Sequence, residues 1–215
     1  MANETITVLV AGNIEAQAFM PGGPTLELLG RVLTGDEAMA RVLEDLPDVL
    51  LLDTRIDQPD ARAVARRLRE WTPATRVLTV SPFDDEASYT TLVAGATGSI
   101  LAGVDPAEVT KAIVAVSRRE SVLQPRMASR LLHDIDSWSR RAADPLNPPP
   151  TLTATEREVL ANLGEGLSSA EIATAHAVTE HLVNLHAGFA VAKLHRYVLG
   201  AVRIASTSAD RAPGG

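Results

Sequence analysis

Leu152–Leu194 reads LTATEREVLANLGEGLSSAEIATAHAVTEHLVNLHAGFAVAKL, and its punctuation decides the C-terminal fold. Thr153-Ala-Thr-Glu156 is a T-x-x-E capping box, and Ser168-Ser-Ala-Glu171 repeats it in S-x-x-E form. In each, the hydroxyl accepts from an orphan N–H of the first turn and the glutamate reaches back to the cap N–H. Gly164 and Gly166 end the first helix. A turn through Ala175–Val178 launches a third helix at Thr179, which runs to Leu194 with Val183, Ala187, Ala190, Val191 and Leu194 on its inward stripe. Two short helices, a tight turn and a longer helix predict a helix-turn-helix, whose last helix is normally the one that enters a DNA groove.

Upstream of this unit the pattern changes. Thr5–Ala11 is an apolar β-rich run and predicts a buried strand. Gly12–Pro24 contains MPGGP, which forbids a continuous helix. Thr25–Leu33 predicts a second strand and Gly35–Leu46 a helix. Val49–Asp53 is an uninterrupted apolar run ending in an acid, as a central parallel strand should be. A helix over Asp60–Thr72 with an arginine-rich outer face follows, then a strand over Arg76–Ser81. Ala87–Ala96 predicts a helix with Tyr89, Leu92, Val93 and Ala96 on one face. A strand over Gly98–Leu101 and a helix capped by Asp105-Pro106 complete the series. Strands alternating with helices imply a parallel sheet with right-handed crossovers. Five strands at this length suit a flavodoxin-like (βα)5 domain of order 2-1-3-4-5, with function gathered at the strands' carboxyl ends.

The boundaries follow from composition: residues 1–128 form the α/β domain. Residues 129–150 are a linker, helical and then proline-rich through DPLNPPPT. Residues 151–205 form an all-α helix-turn-helix domain, including a separate fourth helix over Arg196–Ala205, and 206–215 a disordered tail. The chain has 215 residues, a net charge of −7 and no cysteine, which rules out disulfides and thiolate chemistry. The balance is unusual for a DNA binder, since residues 151–215 hold five Lys/Arg against six Asp/Glu. No signal peptide or membrane span is expected, and the expected location is the cytoplasm. No Ser/His/Asp constellation has a supporting motif, so no enzyme is expected. His176, His181, His186 and His195 lack the i, i+4 spacing of a metal pair.

The C-terminal stretch resembles the effector domain of NarL/LuxR-type bacterial regulators. Leu152, Thr153, Glu156, Glu158, Val159, Leu160, Gly166, Glu171, Ile172, Ala173, Val178, Val183, His186, Lys193 and Leu194 stand at matching positions. With the α/β domain in front, nearly the whole chain is similar to a response regulator. The resemblance implies a phospho-acceptor at Asp53 and a phosphoryl-contacting hydroxyl at Ser81. It also implies two metal-binding acids after the first strand, where Gly12 and Asn13 stand. A lysine is implied where Ala102 stands, and the switch position on the fifth strand is Ser99. One carboxylate remains of three, although Glu15 or Asp57 is within possible reach, and the cation is gone. Mg²⁺ wants several oxygen ligands, so neither Mg²⁺ nor another cofactor is expected, and the receiver is expected to work without phosphate. The strand-end crevice is expected to be filled by Phe19 and Met20 rather than by a small ligand.

On the third helix of the unit, the resemblance implies DNA contacts at Thr179, His181, Asn184, Leu185, Gly188 and Lys193. Family members commonly place Lys or Arg where Asn184, Gly188 or Phe189 stands. Asn184 suits adenine and Leu185 a thymine methyl, while Leu185 and Phe189 form an apolar i, i+4 pair. Two function classes remain. One is a phosphorylation-independent transcription regulator. The other is a partner-binding regulator with little DNA affinity of its own. The expected partners are DNA and a second regulator chain in a homodimer or heterodimer. The surfaces implied for dimerisation are Arg196–Ala205 in the effector, and Tyr89–Ala96 with Asp105–Ser117 in the receiver.

Overall fold

The computed structural model describes residues 5–14, 26–140 and 145–209, with side chains through 201. Its elements are β1 (Ile6–Ala11), β2 (Leu26–Val32), α1 (Gly35–Asp45), β3 (Val49–Asp53), α2 (Ala61–Trp71), β4 (Arg76–Ser81), α3 (Glu86–Ala94), β5 (Gly98–Leu101), α4 (Pro106–Ser117), α5 (Pro125–Ser139), α6 (Ala154–Gly164), α7 (Ser169–Ala175) and α8 (Glu180–Ala209). The strands form one parallel sheet of order β2-β1-β3-β4-β5, the order expected. Successive β1 residues feed opposite faces. Leu9 and Ala11 join the layer under α1 and α2, while Val8 and Val10 join the layer under α4. A strand covered on both faces has no polar side to display, so it reads as a continuous apolar run. The MPGGP segment, with Glu15, Phe19 and Met20, lies outside the described residues.

A third core holds the C-terminal bundle. Met127, Ala128, Leu131 and Ile135 of α5 pack with Val159, Leu160 and Leu163 of α6, Ile172 and Ala173 of α7, and Val183, Ala187, Ala190, Val191 and Leu194 of α8. Both capping boxes form as read from their spacing. α5 is not a free spacer. Its buried face lies in this core, Arg157 of α6 makes two 2.8 Å hydrogen bonds to the Asp136 carboxylate, and Ser129 Oγ donates to the Gly164 carbonyl. Helix formation starts at Pro125, where a missing N–H costs nothing.

Three expectations are corrected. The third and fourth helices of the effector are one, α8, because no glycine, proline or cap interrupts Leu194-His195-Arg196. Residues 206–209 of the supposed tail continue this helix, and 210–215 lie outside the described residues. Tyr89 and Leu92 of α3 do not present a free receiver surface; they enter the C-terminal core. Tyr89 Oη donates to Asp134 of α5 at 2.7 Å, and Arg130 bridges to Glu86 of α3 at 2.6 Å. The α3 face implied for receiver dimerisation is thus turned inward onto the effector.

Candidate functional site

The strand ends converge as the topology requires, but an arginine holds the central acid. Asp53, at the end of β3, is 2% exposed. Arg55 Nε donates to its Oδ1 at 3.0 Å and an Arg55 terminal nitrogen to its Oδ2 at 2.9 Å, and the Arg55 N–H donates at 2.9 Å. The Asn13 N–H adds a bond of 3.3 Å. Burial pushes the Asp53 carboxyl up, but these bonds and the Arg55 charge outweigh it and hold the group below the usual carboxylate range. Gly12 adopts φ +105° and carries no Cβ because one there would collide with Asp53. An acid at position 12 is therefore incompatible with this backbone.

Neighbouring oxygens at the strand ends also have partners. Arg31 donates to the Gly12 carbonyl at 2.9 Å and to Asn13 Oδ1 at 2.6 Å. Ser81 accepts from Thr54 Oγ1 at 3.1 Å, so its hydroxyl is tied to a neighbour rather than to Asp53. Ala102, in the lysine position, lines a 530 Å³ pocket with Ile14, Val80, Ile100, Val104 and Arg55. The donor set does not fit Mg²⁺. Among the described residues one carboxylate is present, both of its oxygens face a guanidinium, and the neutral oxygen at Asn13 faces another.

The helix-turn-helix carries a second surprise. The turn closes through Ala177 at φ +53°, and Thr179 Oγ1 caps the Leu182 N–H. Its α8 then lies against the segment that follows α4. His181 Nδ1 meets the buried Glu120 carboxylate at 2.7 Å, and the Ser121 N–H donates to the Asn184 carbonyl at 3.0 Å. A Cβ at Gly188 would lie 2.6 Å from the Arg119 carbonyl oxygen. The glycine that weakens a free helix is what lets these two backbones touch. The same segment closes the β5 edge. Ser99 N–H donates to Val122, Ser121 Oγ to Thr97, and Gln124 Nε2 to Ser99. Residues 119–124 thus strap the sheet edge to the reading helix.

Of the six nominated DNA contacts, His181, Asn184 and Gly188 face this strap. Asn184 Oδ1 also accepts from Ser169 at 2.7 Å. Lys193 binds both Glu156 oxygens at 2.9 and 2.7 Å and the Thr151 carbonyl at 3.0 Å. Leu185 is half-buried, and Thr179 is exposed at the turn. Among the described side chains of α8, Leu182 and Phe189 are the exposed large apolar residues. The contact that sequence reasoning missed is His195, whose Nε2–H donates to the Leu92 carbonyl of α3 at 2.7 Å. No local pattern marks it, because its partner is 103 residues away.

Comparison with known proteins agrees with this architecture. Residues 150–196 match the luxR family of bacterial regulatory proteins. The chain is 31% identical over 194 residues to the DNA-binding transcriptional activator DevR/DosR of Mycobacterium tuberculosis, covering 89% of this chain and 88% of that protein. It is 32% identical over 163 residues to the probable transcriptional regulatory protein NarL of the same species, covering 75% and 73%. The receiver-domain structure of the putative response regulator NarL from M. tuberculosis matches with a TM-score of 0.50 at 29% identity, over 54% of this chain and 98% of that one. A LuxR-family response regulator from Aurantimonas sp. matches in fold, with a TM-score of 0.53 at 21% identity, over 61% and 98%. The chain belongs to the LuxR family of bacterial regulatory proteins, as a response regulator of the NarL/LuxR type. Among the described residues no helix is long and apolar enough to cross a membrane.

Proposed function

We propose that the chain is a cytoplasmic DNA-binding transcription regulator, not an enzyme, whose receiver holds the reading helix closed and is not switched by Mg²⁺-dependent phosphorylation. The observation that carries this reading is the pair of occupied surfaces. Arg55 sits on the would-be acceptor Asp53, and the 119–124 strap sits on His181, Asn184 and Gly188. Phosphoryl transfer needs a metal and cations to neutralise the equatorial oxygens, with the acceptor carboxylate free to attack. Here the built-in guanidinium takes the place of that neutralisation. Acetyl phosphate with Mg²⁺ is expected to leave the intact mass of the protein unchanged. A mass increase of one phosphoryl group that is absent in Asp53→Asn would sink the phosphorylation-independent part.

A receiver unit ending near residue 128 belongs to the same proposal; the helical half of the expected 129–150 linker packs as α5 in the effector core, and the last effector helix passes the expected limit at 205 to reach Ala209. DNA binding requires α8 to leave the strap. Gly188→Ala is expected to favour that opening, because overpacking at the contact costs about 1–3 kcal/mol while the helix itself gains. Titration of a target duplex across salt concentrations tests it. Tighter binding by Gly188→Ala, with a steep salt slope, is the expected result; unchanged or weaker binding by the variant contradicts it.

The exposed Leu182 and Phe189, together with the commitment of Lys193 to Glu156, favour a second reading. In it, the open form binds a related regulator chain as a homodimer or heterodimer, and DNA contact is shared with that partner. Binding restored only by a second protein distinguishes this reading.

A further inference from the structure

The arginine-rich face of α2 does not simply meet solvent. Arg62, Arg66 and Arg69 stand at i, i+4 and i+7, one stripe of the helix. They form one wall of a 570 Å³ cleft whose other walls come from α3, α5 and α8. Among the described residues none of the three forms an ion pair. Two of the cleft's three carboxylates are engaged, Glu86 by Arg130 and Asp134 by the Tyr89 hydroxyl, leaving Glu70. Arg69 is the deepest of the stripe. Its Nε–H is buried without an acceptor, and its terminal nitrogen reaches the Val93 carbonyl only at 3.4 Å. Burial pushes its guanidinium below the ordinary range. In a chain of net charge −7, a concentration of unpaired arginines in one concavity calls for an anion.

The same cleft gathers aromatic rings in a chain that has few. Both tryptophans, Trp71 and Trp138, line it, and so does Tyr89. Trp71 is 54% exposed, with Arg67 over one face at 6.0 Å. The cleft has the size of an ordinary small-molecule site. Arginine forks match phosphate oxygens, and several unpaired guanidiniums suit a multiply charged group better than a single carboxylate. An open indole face suits a flat heterocycle.

We propose that this cleft between α2, α3, α5 and α8 binds a nucleoside phosphate, its phosphate on Arg62, Arg66 and Arg69 and its base against Trp71. Such a ligand bridges receiver and effector elements and holds them together. The inference does not depend on how the strand-end site is used.

Isothermal titration and Trp fluorescence of the purified full chain with ATP, AMP, pyrophosphate and a short DNA duplex test it. Saturable nucleotide binding with tryptophan quenching and a raised Tm is expected. The double variant Arg62→Gln/Arg66→Gln should weaken it roughly tenfold or more, the scale of losing charge-assisted hydrogen bonds. Trp71→Leu should weaken it roughly fivefold or more through lost stacking. All three side chains are exposed or at the rim, and unaltered circular dichroism checks that the variants fold. Three results overturn the proposal. One is no nucleotide binding. Another is pyrophosphate binding as tightly as nucleotide with no effect of Trp71→Leu. The third is binding of the duplex alone.

Discussion

Lys193→Met is expected to lower the unfolding free energy of the protein by about 3 kcal/mol, because it strands a buried carboxylate. Glu156 is 3% exposed and occupies the third position of α6, where its capping role places it against the C-terminal core. One of its oxygens accepts from the Thr153 N–H, and Lys193 binds both. Methionine keeps the length and apolar stem of lysine but removes the only cation bonded to this group among the described residues. Removing one partner of a buried pair costs far more than the pair contributes, since the remaining charge keeps its desolvation penalty. Adding Glu156→Gln to Lys193→Met should restore part of the loss, and the double-mutant cycle reports the coupling. Urea unfolding measures it. A change below about 1 kcal/mol would place the pair with exposed surface ion pairs, which contribute that little. Lys193, where the resemblance implies a DNA contact, is bonded within the fold to Glu156 and the Thr151 carbonyl.

Acidification is expected to loosen the contact of α8 with α3, through His195. Burial pushes the His195 imidazole down to about 4, the Leu92 carbonyl opposes this, and the charges of Arg69 and Arg76 add to the depression. The ring is therefore neutral in the folded chain and donates one hydrogen bond to the end of α3. In the unfolded chain it titrates near its ordinary value of 6.5. Above that pH neither state is charged and the contact is intact. Between about 6.5 and 4 the unfolded or opened state takes up a proton that the closed state refuses, so stability falls with falling pH. The full loss is about 3 kcal/mol, with about 2 kcal/mol of it between pH 7 and 5. His195→Gln keeps a donor but cannot titrate. The difference in unfolding free energy between wild type and His195→Gln should narrow steadily as pH drops through this window. A difference that stays constant from pH 7 to 5 refutes the assignment.

Lys193 and His195 mark where local reading stops, because their partners lie 37 and 103 residues away. Strands β1, β3, β4 and β5 were legible because each buries both faces, so the apolar run itself is the signal. The helix starts were legible because a capping box is a four-residue object, and Thr153/Glu156 and Ser168/Glu171 need no distant partner. The absence of the two acids and the lysine that the resemblance implies was legible for the same reason: Gly12, Asn13 and Ala102 can be read one position at a time. What replaced them was not. Arg55 is two residues from Asp53, yet nothing in the pattern says that its side chain folds back over the carboxylate. Arg31 comes from β2, and its contact with Asn13 exists only once β1 and β2 pair.

By itself, the sequence determined the strands, the capped helices and the helix-turn-helix, since these rest on periodicity and short-range hydrogen bonding; the sheet order followed from the alternation of strands and helices in a five-stranded domain. Tertiary structure alone decided what each helix face meets. Periodicity identifies an apolar stripe but not its neighbour: Tyr89 and Leu92, in the stretch where the resemblance implied a dimerisation surface, lie in the effector core. Helix propensity made Gly188 a defect, and only the approach of the Arg119 carbonyl makes it a contact. The resemblance implied DNA contacts at Lys193, His181 and Asn184, and in the folded chain each of them also has an intramolecular partner. Their partners Glu156, Glu120 and Ser121 sit 37, 61 and 63 residues earlier in the chain. A polar group takes whichever partner the packed chain brings within hydrogen-bond distance, and that distance is set by the fold.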